Sequence, residues 1–170
     1  MGRRFTQLAA LLAVGSTTLV GCSADQEVPV AVTTVRLAIV PGAQHGGAPL
    51  RTDMTQETWQ TPMPYAGDPD GVGSALITVN RGQGEVCWHL TVSNIVLPAS
   101  LAHIHRAAPG AQGPAVVTLS APDASGESSG CSSTATAALL DEIVESPESF
   151  YVNVHNSVYP PGAVRGQLGG

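Results

Sequence analysis

The sequence predicts an all-β domain, a sandwich or closed barrel of about seven short antiparallel strands, with one short helix near residues 135–146. Three observations lead there. Charged residues make up only 12% of the 170-residue chain, too few to coat the solvent faces of many helices. Its 19 glycines and 13 prolines break the chain at short intervals. Between the breaks, short apolar runs alternate with polar residues at a period of two.

In chain order, "VRLAIV" (35–40) reads as a first strand, and residues 41–73 read as one long loop or a pair of loops rich in Gly, Pro, Asp and Thr. Within them "DPDG" is a tight-turn signal, with Asp68 and Asp70 as turn formers rather than calcium ligands. Trp59 is expected to fold back over a core edge. In "SALITVN" one face carries Ala75, Ile77 and Val79, and "NRGQG" (80–84) turns the chain into "EVCWHLTVSNI". There Val86, Trp88, Leu90 and Val92 share an apolar face opposite Glu85, Cys87, His89 and Thr91. Trp88 therefore belongs to the core, while His89 and the distant His45 read as solvated.

"LAHIHR" (101–106) and "PAVVTL" (114–119) are the next strands, and "APDASGESSGCSS" (121–133) reads as a polar loop. "TATAALLDEIVESP" is the one good helix, approached by Ser/Thr capping residues and with its acids on a solvated face. "SFYVNVHN" and "GAVRGQL" close the fold as strands on either side of the "SVYPPG" turn.

The N-terminus carries a separate message. Arg3 and Arg4 precede the apolar run "LAALLAVGSTTLV", which is too short and interrupted to span a bilayer comfortably. It ends in Leu19-Val20-Gly21-Cys22, which resembles a bacterial lipobox, where the cysteine is lipidated and becomes the mature N-terminus. Residues 1–21 then form a lipoprotein signal peptide, 22–34 a tether, and 35–170 the β domain. This places the protein in the bacterial cell envelope, held to the membrane on the extracytoplasmic side by the lipid on Cys22. Beyond Cys22 there are five arginines, no lysine and thirteen acids, about −8 in charge. Such a body does not bind nucleic acid, which needs clustered cations. With Cys22 assigned to lipid, Cys87 and Cys131 remain in an oxidising compartment, where a disulfide is expected. A thiol–imidazole metal site with His89 is the alternative.

Period-two geometry sorts the remaining polar residues. His103 and His105 share one face of 101–106, with Ile104 on the other. Tyr151, Asn153 and His155 lie opposite Phe150, Val152 and Val154, and Arg165 and Gln167 lie opposite Val164 and Leu168. If the three strands are neighbours, His103, His105, Asn153, His155, Arg165 and Gln167 form one ligand-binding patch.

The runs "LAHIHRAAPGAQGPAVVTL" and "SPESFYVNVHNSVYPPGAVRGQL", with "GDPDGVGSALITVNRGQGEVCWHLTVSNI" upstream, resemble the CHRD domain family, first described as a repeat in chordin and also found singly in exported bacterial proteins. The resemblance is clearest over residues 66–168 and departs from the family's compact start over 35–65. It implies an immunoglobulin-like barrel or sandwich, no settled activity, and an inclination towards protein or matrix partners.

Three readings of the patch stand side by side. His103, His105 and His155 offer three nitrogens to copper or zinc. Alternatively His, Asn, Arg and Gln receive a protein or glycan ligand, with Arg165 as a bidentate donor. Or the side chains satisfy one another and pin strand order, as buried polar groups must. No H-E-x-x-H occurs and no obvious nucleophile–base pairing is legible, so an enzyme is not the expectation. The function expected is non-enzymatic binding or adhesion at the envelope, with copper or zinc binding as the alternative.

Overall fold

Residues 49–60 and 63–169 are described by the computed structural model. The expected signal peptide, tether and strand at 35–40, together with His45, lie outside them. Eight strands form one antiparallel sheet in the order β7-β6-β9-β10-β1-β4-β5-β8. They are β1 (Leu50–Gln56), β4 (Val72–Asn80), β5 (Glu85–Ser93), β6 (Leu101–Arg106), β7 (Ala115–Leu119), β8 (Glu127–Ser132), β9 (Phe150–His155) and β10 (Val164–Gln167). A two-residue hairpin, β2 (Thr58–Trp59) with β3 (Tyr65–Ala66), stands apart from the sheet. The helix α1 spans Ala137–Glu145, inside the expected window.

The sheet curls until its edges nearly meet. Ser128 Oγ on β8 donates to the carbonyl of Ser120, just past β7, at 2.6 Å, and accepts from Trp88 Nε1 at 3.2 Å. Inside the curl, the alternating apolar residues form one core, including Met54, Ile77, Trp88, Leu90, Ile104, Val152, Val154 and Val164. Leu140 and Ile143 of α1 join the same cluster. The helix starts at Thr136, whose side chain accepts from the Leu139 amide at 3.2 Å. Its acids are less solitary than the sequence implies: Glu142 pairs with Arg106, and Asp141 lies 3.1 Å from Arg81. These are exposed pairs, so they orient the helix more than they stabilise it.

Two segments read as loops are strands. β1 carries few apolar residues, but Thr52 and Met54 turn inward while Arg51, Asp53 and Thr55 face out. It is also the corner of the barrel, pairing with β4 through Leu50–Met54 and with β10 through Thr55–Gln56. Gly166 makes that corner possible, since a Cβ there would come 2.5 Å from the Asp53 carbonyl. β8 is serine-rich on both faces, so hydrophobic periodicity could not reveal it. Its pairing with β5 puts Cys87 directly opposite Cys131, and the two form a disulfide.

That disulfide closes a separation of 44 residues, for which the loop-entropy model gives about 4 kcal/mol. A Cys87→Ala/Cys131→Ala variant should lose roughly 3–4 kcal/mol in urea unfolding, with the far-UV spectrum of the folded state retained. A loss under about 1 kcal/mol would show that β8 is held by its ladder alone.

Candidate functional site

The core takes the inner faces of β6, β9 and β10, so their polar residues are forced onto the outside of the barrel. The strands are adjacent, and register aligns His103 with Asn153 and Asn153 with Arg165. One step along, His105 aligns with Tyr151 and Tyr151 with Gln167, while His155 sits opposite Leu101. All six residues of the expected patch therefore lie on one outer face, together with Tyr151.

This outer face is not open to water. Asn153, His155, Arg165 and Tyr151 are buried, and His103 and His105 are half-buried. The segment 107–114 lies over it as a roof. Arg165 donates to the carbonyls of Ala111 at 2.7 Å and Ala108 at 3.1 Å, and to Gln167 Oε1 at 3.0 Å. Its guanidinium stacks 3.4 Å from the centre of the Tyr151 ring. Gln167 donates to the carbonyls of Ala107 and Glu148 at 2.8 and 2.7 Å. The β2–β3 hairpin braces this roof. The Gln60 amide donates to the Gly110 carbonyl at 3.1 Å, and Trp59 stacks on Tyr65 with ring centres 4.3 Å apart. Trp59 is thus buried against Tyr65 of its own hairpin, outside the hydrophobic core cluster, rather than over a core edge as expected.

The histidines meet beneath and beside that roof. His103 Nδ1 and His155 Nε2 are 3.1 Å apart. His155 Nδ1 donates to the Pro160 carbonyl, and His105 Nδ1 to the Gly113 carbonyl, both at 2.8 Å. A carbonyl only accepts, so both Nδ1 atoms carry the proton and both Nε2 atoms of the neutral rings hold free lone pairs. His155 Nε2 then accepts from His103 Nδ1. His105 is further fixed by Tyr151, parallel to within 9° at 4.8 Å. Burial lowers the pKa of all three rings, His103 to about 4, and mutual repulsion with the neighbouring imidazoles adds to the fall for His103 and His105.

One residue of the site escaped the sequence reading. Glu57, between β1 and β2, is fully buried, and its Oε2 accepts from Asn153 Nδ2 at 2.9 Å. Burial pushes its pKa up to about 7, against the pull of Asn153 and Arg165. Gly162, at φ 146°, leaves the space that Glu57 occupies. Nothing in "TQETW" marks Glu57 as buried; only the corner at β1 turns it inward. Among the described residues, the buried polar side-chain atoms without a partner include Glu57 Oε1, Asn153 Oδ1 and His105 Nε2, all in this region. A further one, Asn156 Nδ2, lies in the loop after β9.

The family model for the CHRD domain matches residues 50–168, from the first residue of β1 to just past β10. The chain belongs to the CHRD domain family. No curated protein and no solved structure gives a match. The CHRD match begins at β1, within the segment that had read as a loop.

Glu57 is ionised in the unfolded chain above its ordinary pKa of 4.5 but stays protonated in the CHRD fold to about 7. The unfolded state therefore binds fewer protons in that window, and stability falls as pH rises through it, on the order of 3 kcal/mol in all. The histidines act the other way: their depressed pKa values withdraw stability as pH falls below about 6.5. Glu57→Gln should remove this opposing contribution, so that stability rises more steeply between pH 4.5 and 6.5 than in the wild type, as read by urea midpoints. An unchanged profile would mean Glu57 is ionised in the fold. A second variant isolates the roof: Arg165→Lys loses the forked donor set, so amide exchange at 107–113 should accelerate at least roughly tenfold while β4 and β5 stay protected.

Proposed function

We propose that this protein is a lipid-anchored binding domain of the bacterial cell envelope, tethered through Cys22, which captures a small ligand at His103, His105 and His155. The convergence of the three imidazoles carries this reading: each supplies a ring nitrogen within 4.8 Å of the others. The donors that would serve an extended protein or glycan ligand are otherwise engaged. Arg165 and Gln167 hold the carbonyls of the roof, so a carboxylate or sugar would have to displace the 107–113 segment to reach them. What the outer face leaves without a hydrogen-bond partner, among the described residues, is His105 Nε2, Asn153 Oδ1 and the protonated Oε1 of Glu57. Its ligand is therefore something compact that accepts electron pairs or donates protons. Binding without turnover fits the surroundings of Ser128 in the G-E-S-S-G stretch (126–130), whose Oγ is tied to the Ser120 carbonyl and Trp88 Nε1 rather than to a base. The lipobox-like Leu19–Cys22 and the acidic body support an anchor that rests on lipid rather than on surface charge.

Two measurements test it. Cell fractionation should place the wild type with membranes and Cys22→Ser in the soluble extracytoplasmic fraction; a variant still on membranes would overturn the anchor. Native mass spectrometry of the untagged protein taken from its own envelope should show a small non-covalent mass that His103→Ala loses. Absence of any such mass, with no thermal shift from a panel of metal salts and small metabolites, would overturn capture.

A further inference from the structure

We propose that the captured ligand is a copper ion, held by Nδ1 of His103 and by Nε2 of His105 and of His155. The assignment rests on the small-ligand reading above and names its occupant.

The donor atoms follow from the hydrogen bonds. A metal-binding histidine characteristically donates its other ring N–H to a carbonyl or carboxylate, which fixes both tautomer and ring orientation. His105 and His155 do so already, to Gly113 and Pro160 at 2.8 Å each. That leaves their Nε2 atoms as the nitrogens to face an ion, and His105 Nε2 is buried with only the Asn153 side chain beside it. An acceptor kept dry and unpaired is costly, on the order of 1–3 kcal/mol, and a bound ion would satisfy it. His103 completes the set with Nδ1, 3.1 Å from His155 Nε2. Without the ion, the proton on His103 Nδ1 bridges the two rings. With it, the ion occupies that position and the His103 proton sits on Nε2 of the half-buried ring.

The size is right for one ion. Imidazole nitrogens bind such metals at about 2.0–2.1 Å, so ligands of a single ion lie roughly 3.3–4 Å apart. The cluster spans up to 4.8 Å, and closing it takes a ring movement of about 1 Å. His103, the member whose Nδ1 meets another ring nitrogen instead of a carbonyl, is the one placed to make it.

The chemistry selects the ion. Three neutral nitrogens with no carboxylate or thiolate among them suit neither calcium nor magnesium, which take oxygen. Among divalent ions that favour imidazole, affinity peaks at copper. Three protein ligands leave a coordination position for water. Asn153, directly across from His103 and beside the His105 ring, borders the site.

The test uses the full-length protein, untagged and stripped of metal by chelation. Titration with Cu²⁺ should give one equivalent bound with submicromolar Kd, and an electron paramagnetic resonance spectrum split by nitrogen ligands. Zn²⁺ should compete at least tenfold more weakly. His103→Ala and His105→Ala should each weaken copper at least a hundredfold while retaining the wild-type circular dichroism spectrum, and His89→Ala should bind as the wild type does. Because His155→Ala removes a buried ring, His155→Gln serves as its substitute. Copper held equally well by the His103 and His105 variants would overturn the donor assignment, and Zn²⁺ binding more tightly would overturn the choice of copper. If no metal binds but the envelope-derived protein still carries an organic mass lost in His103→Ala, copper falls and capture stands. If nothing binds, both fall.

Discussion

The burial of Arg165 organises the outer half of this molecule. A guanidinium carries five donors and no acceptor, and it leaves water only where oxygen atoms meet those donors. Here the carbonyls of Ala108 and Ala111 supply them, and the Tyr151 ring supplies a flat surface. Satisfying Arg165 therefore draws a segment of loop across the outside of a sheet that would otherwise be wet. Gln167 repeats the arrangement one pair along, with Ala107. Once the loop is down, Gly113 can accept from His105, and the Gly110 carbonyl can accept from the β2–β3 hairpin.

A dry polar face has consequences for everything placed on it. Rings that would titrate near neutrality in water are kept neutral, and a carboxyl such as Glu57 keeps its proton to about pH 7. Each bond to a backbone carbonyl selects one tautomer and aims the other nitrogen's lone pair. The inner face of the same strands carries Ile104, Val152, Val154 and Val164 and is wholly apolar. The two faces divide the labour: the core closes the barrel, and the roofed outer face carries the polar network. Gly166 and Gly162 serve both, one by letting β1 cross close to β10 and the other by leaving room for Glu57.

Much of this was legible in the sequence. Alternation in "LAHIHR", "FYVNVH" and "AVRGQL" sorted core from polar face, because a strand's period of two is strict. The Trp88 face, the helix with its Thr136 cap, and the pairing of Cys87 with Cys131 could be read the same way or from composition. β1 and β8 could not. Their polar residues outnumber their apolar ones, and what makes them strands is the ladder offered by β4, β10 and β5. Glu57 was invisible for a related reason, since a glutamate in a polar run is ordinarily solvated and only the barrel corner buries it.

By itself, then, the sequence determined which side chains share a face, that the fold is all-β, and which family it joins, since these follow from local period and motif. Tertiary structure decided what those faces meet. Strand order made neighbours of residues some fifty positions apart, as with His103 and His155. The roof turned Arg165 and Gln167 from ligand donors in waiting into fasteners, and it left the imidazole lone pairs as what the site has to offer. Hydrogen-bond satisfaction is a property of the whole surroundings of an atom, and no stretch of sequence contains those surroundings.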